Sequence, residues 1–207
     1  NAEACIKNKV KELYLASSSE VYQTPNKIPT DELESLKIPD IFNPRYSYGG
    51  GKILTELMGI HYGKKYFKKL IIFRPHNVYG PNMGKEHVIP EFIGRFKSLN
   101  RQKFRIQGNG NEIRSFIYIQ DFIEAFNLIL KKGKHLNIYN VGTSEKIKIK
   151  DLAYKLSKIF KKKIILKKTT PAKGGTTIRV PNIKKIKRFG FKPQFSLYKG
   201  LRKMLTK

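Results

Sequence analysis

"ELYLASSSEVY", Glu12 to Tyr22, sets a short apolar run directly against three serines and a glutamate. A run of this length closed by hydroxyl residues reads as a buried strand entering a turn. A helical stretch, "NAEACIKNKV", precedes it, and a long surface loop with four prolines, "TPNKIPTDELESLKIPDIFNP", follows. Next come a helix beginning near Tyr48 and a second buried strand, Leu70 to Phe73, ended by Pro75. Helix, strand, helix, strand at this spacing predicts a parallel α/β sheet. Ligands of such sheets gather beyond the carboxyl ends of the strands. Ser17, Ser18, Ser19 and Glu20 lie at one such end, and "FRPHNVYGP" at another.

Downstream, "EHVIPEFIGRFKSL", "QDFIEAFNLILKK" and "IKDLAYKLSKIFKK" have helical periodicity. "FRIQGNGNEIRSFIYI" reads as two strands around a Gly-Asn-Gly turn. "LNIYNVG" and "KIILKK" read as further strands, and the tail as two short helices joined by a Gly/Pro turn. Asp121 falls in a first helical turn, where a carboxylate suits the dipole.

The net charge of +28 raises the question of nucleic acid. Only nine of the 43 basic residues are arginine, and no arginine forks or stacking aromatics cluster as base-reading modules require. The composition therefore argues against nucleic acid as the main partner, while the field would favour a polyanionic small molecule. No apolar run approaches the roughly 18 residues of a membrane span, so no membrane partner is expected. The single cysteine, Cys5, fits a reducing, cytoplasmic compartment. No metal is called for.

Within "RYSYGGGK", Tyr48 and Lys52 stand one helical turn apart on one face. A phenol has a pKa of about 10 and is a poor base at neutral pH; an ammonium beside it favours the phenolate and makes a proton shuttle for a hydroxyl. Alone, the pair also fits an ordinary exposed helix pair. Its place between two polar strand ends is what points to a site. Three glycines in the first turns would cost roughly 0.8–1 kcal/mol each relative to alanine, a penalty that close backbone approach could explain. Ahead, Ile53, Leu54, Leu57, Met58, Ile60 and Tyr62 form an apolar series read as the core-facing stripe of an amphipathic helix.

The ordered stretches "ASSSEVY", "YGGGK", "RPHNVYGP", "GNGNEIRSFIYIQD", "YNVG" and "IRVPN" resemble the extended short-chain dehydrogenase/reductase family from Asn1 to about Leu201. The resemblance implies NAD-dependent chemistry on nucleotide-diphosphate sugars, with NADP not excluded. A sugar hydroxyl is oxidised transiently before epimerisation or loss of water or carbon dioxide. It implies a catalytic triad of Ser18, Tyr48 and Lys52, with Glu20 as a second acid/base or else a strand-end carboxylate. Ser17, Tyr48, Lys52 and Pro75 would face the cofactor, and Asn77, Arg114 and Arg179 the substrate diphosphate, where planar guanidinium forks suit phosphate oxygens. His76 would lie beside the nicotinamide or be a satisfied structural histidine. Asp121 is read as a helix-start residue rather than a catalyst. A homodimer through the Tyr48 helix and the helix before it is the family expectation.

Glu20 and "PRYSYGGGK" fit dehydratases and UDP-glucuronate decarboxylases, while "RPHNVYGP" is also similar to GDP-mannose 3,5-epimerases, so the reaction type stays open at this point. The expected fold is the C-terminal half of a Rossmann-like parallel sheet plus a smaller α/β substrate-binding domain. Residues 1–80 would form the partial Rossmann part and 81–207 mainly the substrate part, with about 116–143 returning to the Rossmann side. No Gly-x-Gly-x-x-Gly occurs in the chain. In the family that fingerprint cradles the cofactor pyrophosphate in the first βαβ unit. The chain, starting at Asn1, is accordingly expected to be a piece of a longer enzyme and inactive alone, or else a non-catalytic fragment.

Overall fold

The computed structural model describes residues 2–171 and 173–205; Asn1, part of the helical stretch read in the sequence, Ala172, Thr206 and Lys207 lie outside the described residues. The first half runs α1 (Ala2–Lys7), β1 (Glu12–Ala16), α2 (Ser47–Tyr66), β2 (Lys69–Pro75), β3 (Val78–Tyr79) and α3 (Val88–Lys97). Next are β4 (Lys103–Ile106), β5 (Ile113–Arg114), β6 (Ile117–Tyr118), α4 (Ile119–Lys132), β7 (Asn137–Val141) and β8 (Ile147–Lys148). The chain continues through α5 (Ile149–Phe160), β9 (Ile165–Lys168), β10 (Ile178–Arg179), α6 (Lys184–Lys187) and α7 (Leu197–Leu205).

β1, β2 and β7 form a parallel sheet with β2 in the centre. Leu13 lies opposite Leu70, and Phe73 lies between Ala16 and Tyr139. β2 is buried on both faces, as a central parallel strand should be. Leu70 and Ile72 pack toward α1 and α2 with Ile6 and Ile60, while Ile71 and Phe73 pack toward α4 with Ala125 and Ile129. A separate core of Ile89, Phe92, Phe96, Phe104, Leu152, Leu156 and Leu201 holds α3, α5 and α7 together.

Two expectations are corrected. β4 and β5 do not pair as a hairpin: β4 takes β9 as a parallel partner, and β5 lies between β10 and β8. The intervening turn, with Gly108 and Gly110 at φ of 67° and 70°, docks on the start of α5, where Lys150 N donates to Gly110 O at 2.9 Å. The apolar series of α2 is also divided: Ile60 and Tyr62 pack against the sheet cluster, but Leu54, Leu57 and Met58 face outward. Its buried residues are Gly49, Glu56, Gly59 and Gly63, whereas Leu54 and Leu57 are 61% and 60% exposed. At Gly59 and Gly63 the helix lies too close to the sheet for a side chain: a Cβ at Gly63 would sit 3.1 Å from Leu70 Cβ, and one at Gly59 would collide with Leu15.

Candidate active site

The end of β1 is shaped by its serines. Ser17 N donates to Phe73 O at 2.9 Å and extends the ladder; its hydroxyl turns inward and donates to Glu56. Ser18 is extended, and its Oγ accepts from Glu20 N at 3.1 Å, capping a 3-10 turn over Ser19–Tyr22. Glu20 thus stands on a fixed backbone at the mouth of the sheet.

A second 3-10 turn, Pro44–Tyr46, is capped by Asn43 and leads into α2. Tyr48 is 56% exposed. Lys52 Nζ donates to Ala16 O at 2.9 Å and lies 5.8 Å from the centroid of the Tyr48 ring. The ammonium therefore links the Tyr48 helix to the carboxyl end of β1, two residues before Ser18. The glycines between divide in role. A Cβ at Gly49 would lie 2.9 Å from Glu20 O, one at Gly50 would lie 3.2 Å from Ile38 Cδ1, and one at Gly51 would meet nothing within 4 Å. Two serve internal packing, and the third borders open space.

A cavity of about 310 Å³ gathers Glu20, Asn77, Arg114 and Arg179, with Arg45, Glu86 and Phe116 also in its wall. Arg45, Glu86, Val88 and Arg114 are shared with a neighbouring cleft of about 820 Å³, which runs past Gln107, Asn109 and Thr177. Asn77 adopts a left-handed φ of 44°, which asparagine tolerates better than most residues, and its amide donates to Ser115 O at 2.8 Å. Arg179 makes a two-pronged ion pair with Glu20. Among the described residues, Arg114 donates only to the main-chain carbonyls of Ile113, Thr176 and Thr177. Burial, with the neighbouring Arg179 charge adding to it, pushes the Arg114 guanidinium down to about 10. The cavity thus holds two guanidinium groups, of which Arg179 is paired with Glu20 and Arg114 is in hydrogen-bond contact with no acid among the described residues, an arrangement suited to an anion.

Pro75 ends β2 opposite Val141. His76 does not reach the cavity. It is fully buried, Nε2 lies 3.2 Å from Asn140 Oδ1, and Nδ1 has no partner among the described residues. Burial drives its pKa down to about 3, so the ring is neutral at physiological pH. Asp121 is buried near the start of α4, and its carboxylate accepts from Gln194 N and Phe195 N at 2.9 and 3.0 Å.

Sequence reading missed the polar knot behind this site. Arg74, buried in β2, forms a two-pronged pair with Glu56 at 2.8 and 2.6 Å and donates to the Tyr22 hydroxyl at 2.8 Å. Tyr22 in turn donates to Asn140 Oδ1 at 2.8 Å. Burial alone would lower the Arg74 pKa, but the contacts with Glu56 and Tyr22 outweigh it and raise it. Burial pushes the Tyr22 phenol up to about 12, against the opposing Arg74 charge. The available signal was an arginine inside an apolar strand, which demands a partner; Glu56, one turn beyond Lys52, is that partner. Among the described residues, no group of three or more His, Cys, Asp or Glu could hold a metal ion, and no helix is long and apolar enough to cross a membrane.

The family model described as the NAD dependent epimerase/dehydratase family matches residues 2–142. A dTDP-D-glucose 4,6-dehydratase of Dictyostelium discoideum is 35% identical over 162 residues, covering 76% of this chain and 37% of the relative. The crystal structure of a dTDP-glucose 4,6-dehydratase from Streptomyces venezuelae, with NAD and TYD bound, superposes with a TM-score of 0.85 at 23% identity, over 98% of this chain and 61% of that one. A UDP-N-acetylglucosamine 4-epimerase from Methanobrevibacter ruminantium, in complex with UDP-N-acetylmuramic acid, gives a TM-score of 0.85 at 25% identity, over 98% of this chain and 64% of that one. The chain therefore spans under two thirds of the length of each of these proteins. With the family model covering most of its residues and the fold matching over nearly all of them, this chain belongs to the NAD-dependent epimerase/dehydratase family.

Proposed function

We propose that the chain is the catalytic and substrate-binding part of an NAD-dependent enzyme that epimerises or dehydrates a nucleotide-diphosphate sugar by transient oxidation of a sugar hydroxyl. The observation that carries this reading is the convergence of Glu20, Asn77, Arg114 and Arg179 on one cavity of about 310 Å³. Arg114 and Arg179 take the diphosphate, Asn77 contacts it, and the adjoining cleft of about 820 Å³ has room for the nucleoside. Tyr48 moves the hydroxyl proton, with Ser18 polarising the same oxygen. Lys52, tied to Ala16 O, supports Tyr48 and holds the nicotinamide ribose, and the open space over Gly51 suits a cofactor passing there. Bound NAD would supply the hydride acceptor and donor for this chemistry. Glu20 supplies a second acid/base group, and the 4,6-dehydratase name of the Dictyostelium relative favours dehydration of a dTDP- or UDP-hexose.

In this reading residues 1–80 and about 116–143 form the cofactor side and the remainder the substrate side. The exposed Leu54, Leu57 and Met58 of α2 suit a second copy of the chain. The lone free cysteine, Cys5, fits a cytoplasmic setting. The test is a panel of UDP- and dTDP-hexoses with NAD on the product of the whole gene. Tyr48→Phe is expected to cut turnover at least about a hundredfold with sugar-nucleotide affinity nearly unchanged. Wild-type turnover in that variant would remove Tyr48 from the chemistry.

A further inference from the structure

Glu20 and Arg179 are both residues of the cavity wall, yet they are spent on each other. The pairing is fork to fork, the geometry in which a guanidinium also grips two phosphate oxygens. Among the described residues, Glu20 is the only acid in hydrogen-bond contact with either Arg179 or Arg114. The described residues do not saturate Arg179: among them its buried Nε has no partner, and besides Glu20 it reaches only Thr176 Oγ1 at 3.0 Å.

We propose that the Glu20 carboxylate is a stand-in anion held by Arg179, and that a nucleoside diphosphate entering the cavity displaces it and frees it toward the Tyr48 helix. This rests on reading the cavity as a diphosphate site. The two partners differ in mobility. The Arg179 side chain is 6% exposed and the Glu20 side chain 34%, so the carboxylate can return to water while the guanidinium stays. The backbone beneath Glu20 is fixed by Ser18 Oγ and by the bond from Gln23 N to Glu20 O at 3.2 Å. The exchange is therefore a side-chain rotation, without movement of the turn. A diphosphate brings more negative charge than one carboxylate and meets Arg114 as well, so it gains where Glu20 alone cannot. The main-chain oxygen of Glu20 lies 2.9 Å from where a Cβ of Gly49 would be, one residue beyond Tyr48, so the turn that carries the carboxylate abuts the start of the helix that bears the phenol. Occupation of the phosphate subsite would thus deliver the second acid/base group.

The experiment is titration calorimetry of the 207-residue chain with UDP, and with uridine as the ligand lacking phosphates. Removing the competing charge by Glu20→Gln, or by Glu20→Ala as a second variant with its melting temperature checked, is expected to tighten UDP binding about tenfold, within the usual range of coupling between two events at one site. Uridine affinity should not change. In an Arg179→Gln background the gain should vanish, since the two groups then no longer compete. UDP binding that is unchanged or weaker in both Glu20 variants overturns the inference and makes Glu20 a brace for Arg179. An equal gain for uridine overturns it too. Failure of the underlying reading has a different signature: wild type and every variant bind no UDP.

Discussion

A neutral imidazole at position 76 follows from full burial beside Asn140 and two arginines. Its pKa of about 3 lies below the ordinary value of 6.5, so between those limits the unfolded chain takes up a proton that the folded chain refuses. Above pH 6.5 the group contributes no pH dependence. As pH falls from there toward 3, stability is lost by up to about 1.4 kcal/mol per unit. Denaturant unfolding at pH 7, 6 and 5 should show wild type losing about 2 kcal/mol more than His76→Gln over that range; parallel curves would refute the buried neutral state. Of the two sequence readings of His76, burial fits a structural histidine, but not a satisfied one, since Nδ1 has no partner among the described residues. The residues gathered at the cavity were marked in the sequence by the resemblance of the motifs that carry them, not by their types, because an arginine or glutamate at a strand end reads equally well as a surface charge. Glu56 was not legible, because an acid in a lysine-rich helix reads as solvated until the strand carrying Arg74 is laid against it.

At the scale of elements, β1, β2 and β7 could be read directly, since short apolar runs closed by turns signal buried parallel strands. The pairing of β4 with β9 could not, because its partners are about sixty residues apart and leave no local trace. For α2, the apolar pattern misled: glycines, not leucines, face the sheet, and periodicity counts only side chains. The glycines before Lys52 permit a test of this packing. Gly51→Ala should raise stability by about 1 kcal/mol, the helix propensity gain with nothing to obstruct the methyl group. Gly49→Ala should instead lower it, because the new carbon meets Glu20 O and Gln23. Thermal melts of the two variants moving in the same direction would refute this division. Weaker NAD binding by Gly51→Ala in the whole enzyme would further mark the open space as the cofactor's path.

The whole molecule presents two surfaces that its interior does not explain, the excess of positive charge and the outward apolar face of α2. The charge favours arrival of polyanionic ligands. The apolar face leads to an expectation for assembly: the chain should sediment at twice its 24.0 kDa mass, and Leu54→Asp with Leu57→Asp should return it to a monomer. A monomeric wild type at micromolar concentration would refute the dimer. The Glu56–Arg74 pair has a further consequence, for the history that such a sequence can have. Changing either residue alone strands a buried charge at a cost of about 3–5 kcal/mol, a large part of the 5–15 kcal/mol by which a domain is usually stable. Each residue therefore blocks drift in the other, whether or not the protein turns over any substrate. Tyr48, 56% exposed, has no such lock. In a lineage that abandoned catalysis the tyrosine would be among the first to drift and the buried pair among the last, so the order of their loss would date the end of use.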